Sequence, residues 1–351
     1  MSEAAVREAF ALQGAICTAA GAPFTGRVCR MLGEKLDRHT AIGRRVLDWP
    51  GVPTHDGDAL ALRLAGGLHA LARSRQSDLA AFYPPNTPPR DDAVLWRAIH
   101  AALLRDAETL DGWLDGPPQT NEVGRSSALM AGLLVLADRF GLPFALYELG
   151  ASAGLNTILD RYGFQLGRTR AGAADSPVRL APEWRGESPP AAEVRVVRRR
   201  GVDRQPLDPR SAITRERLQA YVWAEQRGRL ARLGAALELA AADPAPVDEA
   251  DAADWLEAQL WPEPEPDVCR VVMHTIAFQY FPPEGQARIA ARIAAAGARA
   301  GADSPVAWLA YEAGPGQERR PQLVLRSWPG GGEQRVLAEG QPHGAWLDWR
   351  G

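Results

Sequence analysis

Cysteine is scarce: Cys17, Cys29 and Cys269 are the only three in 351 residues. They are scattered, odd in number and form no C-x-x-C pair, so neither a disulfide framework nor a zinc site is expected, and no metal centre is assigned. An excess of one charge is also lacking, since 40 Lys and Arg stand against 43 Asp and Glu for a net −3. That balance gives no electrostatic reason to bind nucleic acid or an anionic membrane. Arg195 and Arg198 to Arg200 form a local basic run, read as a solvated strand edge. Long apolar runs are missing. The longest, Ala128 to Ala137, falls well short of the ~20 residues that span a bilayer. No basic segment followed by an apolar one opens the sequence, and neither repeats nor low-complexity tracts occur. Together these absences point to an ordinary globular protein of the cytoplasm that acts on a small molecule, with a length that fits two domains.

What is present divides near residue 118. Before it, Ala4 to Ala20, Thr25 to Glu34, Ala59 to Arg73 and Asp91 to Trp113 carry apolar residues at three-and-four spacing, the period of buried helix faces. Proline-rich breaks at 50–53, 84–89 and 116–118 separate them. Residues 1–118 are therefore expected to form an all-helical domain that serves as lid or substrate domain. From 144 onward the texture alternates. Strands are expected at 144–149, 193–203, 245–250, 268–275 and 305–312, with helices at 153–161, 211–241 and 284–300. Such alternation implies a parallel sheet with crossover helices. Gln322 to Trp328 and Gln334 to Ala338 flank Pro329-Gly-Gly-Gly332 and read as an antiparallel hairpin closing the sheet. The fold class is thus α/β, a Rossmann-like and mostly parallel sheet over 119–351. An insertion at about 162–192 holds a hairpin of Tyr162–Leu166 with Pro177–Leu180.

The chemistry concentrates after the first strand. Glu148-Leu-Gly-Ala-Ser-Ala-Gly154 ends an apolar run in an acid and then places Gly150, Ser152 and Gly154 at every second position. A strand breaking into a small-residue turn and a helix start brings bare backbone N–H groups close to a ligand. Asp203, in Gly201-Val-Asp203-Arg-Gln-Pro206, ends the second strand. Asp251 and Asp254 follow the third, one of them as a helix cap. His274 ends the fourth strand, with Gln279 and Tyr280 just beyond; His274 and Tyr280 are the candidate catalytic groups. Asn121, Glu122 and Arg125 open the helix before the glycine motif, where Arg125 suits a ligand carboxylate. Asn156 closes the motif, and His343 lies in a C-terminal turn.

These blocks resemble a prokaryotic family classed as domain of unknown function 2332. They are Gln119 to Ser126, Glu148 to Asn156 with Asp160-Arg-Tyr162, Ser176 to Leu180, Arg199 to Asp203, Asp251 to Leu256, His274 with Gln279-Tyr280, Trp328 to Gly331, and Pro342-His-Gly344. That family looks like a Rossmann-fold S-adenosylmethionine-dependent methyltransferase. The likeness implies S-adenosylmethionine as cofactor, with Asp203 on its ribose and Asp251 or Asp254 on its adenine. Glu148, Gly150, Ser152, Gly154, Asn156, Asn121 and Arg125 would surround the rest. The methyl acceptor is not indicated.

Two other functions fit the same residues. Gly150-Ala-Ser152-Ala-Gly154 also spells G-x-S-x-G, the turn that exposes a hydrolase serine, with Asp254 and His343 in hydrolase chain order. Against it, a hydrolase turn follows several earlier strands, whereas everything before residue 143 reads as helix. A non-catalytic protein of the same fold, binding a nucleotide-like ligand or a protein partner, is the third; Ser152 in place of a middle glycine and the missing Asn/Asp-Pro-Pro-Tyr/Phe acceptor motif keep it open.

Overall fold

The apolar spacing of the N-terminal sequence is realised as helices α1 (Glu3–Ala19), α2 (Pro23–Lys35), α3 (Ala41–Leu47), α4 (Leu60–Arg73), α5 (Asp92–Arg105) and α6 (Ala107–Leu114). The computed structural model describes residues 2–74, 77–260, 263–316 and 319–351. Ser2, Thr40 and Asp91 cap α1, α3 and α5 by accepting backbone N–H bonds, and Pro23 opens α2 where its missing donor costs nothing. Phe10, Leu32, Leu60, Leu64, Ile99 and Leu103, all fully buried, are among the residues of one core.

The chain divides into two compact units. One is Met1–Thr120 with Ala212–Ala231; the other is Asn121–Ser211 with Arg232–Gly351. The second opens with α7 (Ser126–Phe140), stopped by Gly141 in the left-handed region (φ 66°), and β1 (Phe144–Leu149). An insertion follows as a small sheet of β2 (Gly163–Leu166), β3 (Thr169–Gly172) and β4 (Arg179–Leu180) in the order β3-β2-β4. Here the structure corrects the expected pairing. The hairpin is β2 with β3, turned at Gly167 (φ 58°), and Arg179–Leu180 joins β2 in parallel. After β5 (Glu183–Arg185) and β6 (Val196–Asp203) comes α8 (Ala212–Ala220), in the first unit. It is fixed there by His69 Nδ1 at 3.0 Å from the Ala220 carbonyl and by Arg73 on Glu216. The single helix expected over 211–241 is therefore two, α8 and α9 (Arg227–Ala242).

The sheet is completed by β7 (Val247–Glu249), α10 (Ala252–Gln259), β8 (Cys269–Thr275), α11 (Pro283–Gly297), β9 (Val306–Ala313), β10 (Pro321–Trp328), β11 (Arg335–Gly340) and β12 (Trp346–Trp349). Its order is β5-β12-β11-β10-β9-β8-β1-β6-β7. Strands β7, β6, β1, β8 and β9 run parallel, and β10, β11 and β12 continue as an antiparallel meander. Every residue of β1 and β8 is buried, as central parallel strands covered on both faces require. The basic run on β6 is not a free edge: Arg198 pairs with Glu265, Arg199 with Asp160 and Arg200 with Asp248. Strand order runs from β1 outward to β6 and β7, then resumes on β1's other side with β8 and β9. The reversal falls at β1, and in open parallel sheets the crevice at the carboxyl ends beside such a reversal is where ligands bind. Among the described residues no helix is long and apolar enough to cross a membrane.

Candidate functional site

At the carboxyl end of β1 the backbone turns through three left-handed residues, Gly150 (φ 70°), Ser152 (φ 54°) and Gly154 (φ 71°). No α-helix follows. Residues 152–158 are successive turns closed by i→i+3 bonds, such as Thr157 N to the Gly154 carbonyl, before a 3₁₀ turn at Leu159–Arg161. The reason is local. Asn156 and Thr157 turn inward, where Asn156 Oδ1 accepts from Ser126 Oγ and the Thr157 hydroxyl donates to Glu148 Oε2. Glycine is required twice, for different reasons. A Cβ on Gly150 would stand 2.7 Å from that of Ala277, whereas one on Gly154 would meet Val247 at 3.1 Å, at the start of β7.

Two side chains clamp this loop from opposite flanks. Asp203 Oδ2 accepts from Ser152 N at 2.9 Å, and its Oδ1 from Gln205 N at 2.9 Å. Asn121 Oδ1 accepts from Ala153 N at 3.2 Å and Leu155 N at 3.0 Å. Arg125, buried, donates to the Pro342 and Thr275 carbonyls and ties the C-terminal turn to the end of β8. Asn121, Arg125 and Asn156 are thus bound to the protein's own backbone and side chains, one layer behind the loop. Glu148 is 1% exposed, and that burial pushes its carboxyl up to about 8; bonds from Thr157 and Asn156 oppose the rise and nearby Asp203 adds to it.

In front of the loop lies an open crevice of about 190 Å³. It brings together Gly150 from the end of β1, Asp203 and Arg204 from the end of β6, Asp251 after β7, and Tyr280 and Phe281 after β8. The remaining wall is apolar, with Val202, Pro282 and Ile289 among its residues. Asp251 caps α10 through Ala253 N and receives Arg204 at 3.1 Å. Partial burial works to raise its pKa, but Arg204 and the α10 amides outweigh this and hold it below the usual carboxylate range. Asp254, exposed, turns to Arg288 and does not line the crevice.

His274 is placed differently from Tyr280. It is 1% exposed, with Nδ1 at 2.7 Å from Glu312 Oε1 and Nε2 accepting from the Trp308 indole at 2.8 Å. An indole N–H can only donate, so Nε2 carries no proton and Nδ1–H points to Glu312. Both ring nitrogens are used, and the ring stacks on Phe278 at 4.8 Å. In this arrangement His274 is a bonded core group and presents no nitrogen to the crevice. Glu312 Oε1 also accepts from Ala277 N and Phe278 N, which shapes the turn after β8. Sequence reasoning passed over Glu312 and Arg204. Glu312 stands inside an otherwise apolar strand, and that lone acid was the available signal.

Ser152 Oγ is buried and has no hydrogen-bond partner among the described residues. His343 Nδ1 stands 3.5 Å from Glu122 Oε2, which Arg232 also approaches through Oε1 at 3.8 Å. Among the described residues no group of three or more His, Cys, Asp or Glu is placed to hold a metal ion.

No curated protein and no solved structure matches the chain. The model of a bacterial family matches residues 7–349, nearly its whole length. The chain therefore belongs to domain-of-unknown-function family 2332, described as uncharacterised protein conserved in bacteria.

Proposed function

We propose that the second unit binds S-adenosylmethionine in the crevice at the ends of β1, β6 and β7 and acts as a methyltransferase on a small-molecule acceptor. The observation that carries this reading is the convergence of Gly150, Asp203 and Asp251, from three successive parallel strands, on one crevice. Paired acids beside an apolar wall suit a nucleoside, whose diol and exocyclic amine donate and whose base is flat and apolar. No helix starts directly behind the glycine loop, so the loop itself lacks the dipole that phosphate-binding loops use.

Bound there, the cofactor supplies an electrophilic methyl group. The chain's part is to hold it: Asp203 accepts from the ribose hydroxyls with the lone pairs that Ser152 and Gln205 leave, and Asp251 accepts from the base. Gly150 lets the ligand approach the backbone. Transfer then depends on positioning rather than on an obligatory acid or base. Isothermal titration with S-adenosylhomocysteine tests this; a folded protein that takes up none of it is not a methyltransferase of this kind.

The hydrolase reading keeps one observation in its favour, the strained backbone of Ser152 (φ 54°). The next residue's N–H, which such a site needs for the oxyanion, is donated to Asn121, and Ser152 Oγ has no hydrogen-bond partner among the described residues. Labelling of Ser152 by a fluorophosphonate tests that alternative.

A further inference from the structure

Tyr280 is 70% exposed, although it sits on a turn that is otherwise held from both sides. Glu312 Oε1 receives the N–H groups of Ala277 (2.9 Å) and Phe278 (3.1 Å), and His274 Nδ1–H donates to the same oxygen. Gln286 Nε2 donates to the carbonyls of Phe278 (3.1 Å) and Phe281 (2.9 Å). The neighbouring rings pack on one another: Phe278 lies 4.8 Å from His274 and 5.7 Å from Trp308, and Phe281, also in the crevice wall, lies 5.6 Å from Phe278. The backbone of the turn is therefore fixed while one large ring, at the rim of the crevice, is left in water.

A hydrogen-bonded turn that leaves Phe278 and Phe281 half-buried and Tyr280 exposed presents a flat apolar surface beside two acids. An aromatic face of this kind attracts another π-system, and stacking tolerates any base because every base has such a face. We propose that Tyr280 is the platform on which the base of a bound nucleoside stacks, with Gln286 and Glu312 as the positioning residues that present it. The inference rests on the nucleoside reading of the crevice and assigns the base to the Tyr280–Phe281 wall. The chemical class selected is a planar heterocycle bearing an unphosphorylated ribose, of which adenosine is the simplest probe. Tyr280 itself then contacts ligand without taking part in proton transfer.

The test is ligand-observed NMR and calorimetry of adenosine and S-adenosylhomocysteine with the full chain and its Tyr280→Leu and Tyr280→Phe variants. An exposed position makes both variants safe for folding, which thermal melts check. The expected result is an upfield ring-current shift of adenine H2 and H8 on binding to the wild type and to Tyr280→Phe. Tyr280→Leu, which keeps bulk but no ring, should lose that shift and about tenfold in affinity, equivalent to ~1.4 kcal/mol. Equal affinity and equal shifts in Tyr280→Leu would overturn the stacking assignment and leave the nucleoside site standing. No uptake of either ligand by folded wild type would overturn the nucleoside reading, and the stacking assignment with it.

Discussion

Glu148 carries a titratable group into a fully buried position under the glycine loop, and its pH behaviour follows from that. The folded carboxyl titrates near 8 because burial penalises its charge, whereas in the unfolded chain it titrates near 4.5. Between those values the folded state holds the proton more tightly. Its stabilising contribution is complete below about 4.5 and is lost as pH rises through about 8. Wild type should therefore melt at progressively lower temperature from pH 5 to pH 8.5 relative to Glu148→Gln, whose amide does not titrate. Parallel melting profiles for the two proteins would show that Glu148 is not the buried acid described. Ser152 gives a second residue-level expectation. Its hydroxyl has no hydrogen-bond partner among the described residues and its φ is positive, so Ser152→Ala should leave ligand affinity within about threefold, and Ser152→Gly should relieve up to ~1 kcal/mol of left-handed strain, read by chemical denaturation. A hydrolase would instead lose several orders of magnitude in rate with Ser152→Ala. Among the glycines, Gly150→Ala places a Cβ 2.7 Å from Ala277 beside the crevice and should abolish ligand binding. Gly154→Val should act mainly on stability, by ~1–2 kcal/mol or more, because it presses on Val247.

At the scale of elements, the strands were largely legible and the connections were not. Phe144–Leu149 and Cys269–Thr275 announce themselves as unbroken apolar runs because both faces of a central parallel strand are covered. The segment after Gly154 misled for a physical reason: spacing suggested a helix, but Asn156 and Thr157 spend their side chains on Ser126 and Glu148 and hold it as turns. His274 misled in the opposite way. A strand-end histidine faces the ligand side by topology, yet its partners Trp308 and Glu312 lie on the next strand, and no local pattern reveals a cross-strand pairing. Asp203 and Asp251 both line the crevice, and their place just after a strand is the mark the sequence offers for them. Asp254 has the same local signature and faces Arg288 instead. Glu312 organises the turn after β8, and its replacement separates acceptor from charge. Glu312→Gln keeps an oxygen for Ala277, Phe278 and His274, whereas Glu312→Ala strands those donors. The alanine variant should lose ~2–4 kcal/mol by denaturant titration and the glutamine variant less than half as much.

The whole molecule is not the sum of an N-terminal and a C-terminal piece. The composition break near residue 118 is real in the sequence, but Ala212–Ala231 returns to the helical unit. Periodicity along one helix does not say which core its apolar face will join. A fragment of residues 121–351 carries α8 without α4. Leu218, Ala220, Tyr221 and Val222, buried in the intact chain, would then be exposed together with the unpaired Ala220 carbonyl. Size-exclusion chromatography should find that fragment aggregated where the full chain elutes as a single species; a well-behaved fragment would show that α8 does not depend on the helical unit. The family assignment covers both units and supplies no activity, so function rests on the crevice. Its most direct test is calorimetric titration of the intact protein with S-adenosylhomocysteine, alongside Asp203→Ala. The expected result is one ligand per chain, with affinity reduced by about one to two orders of magnitude in the variant, as loss of a charge-assisted pair of bonds worth ~1.5–3 kcal/mol implies. A folded wild type that shows no heat of binding, or an Asp203→Ala variant that binds as tightly as wild type, would contradict it.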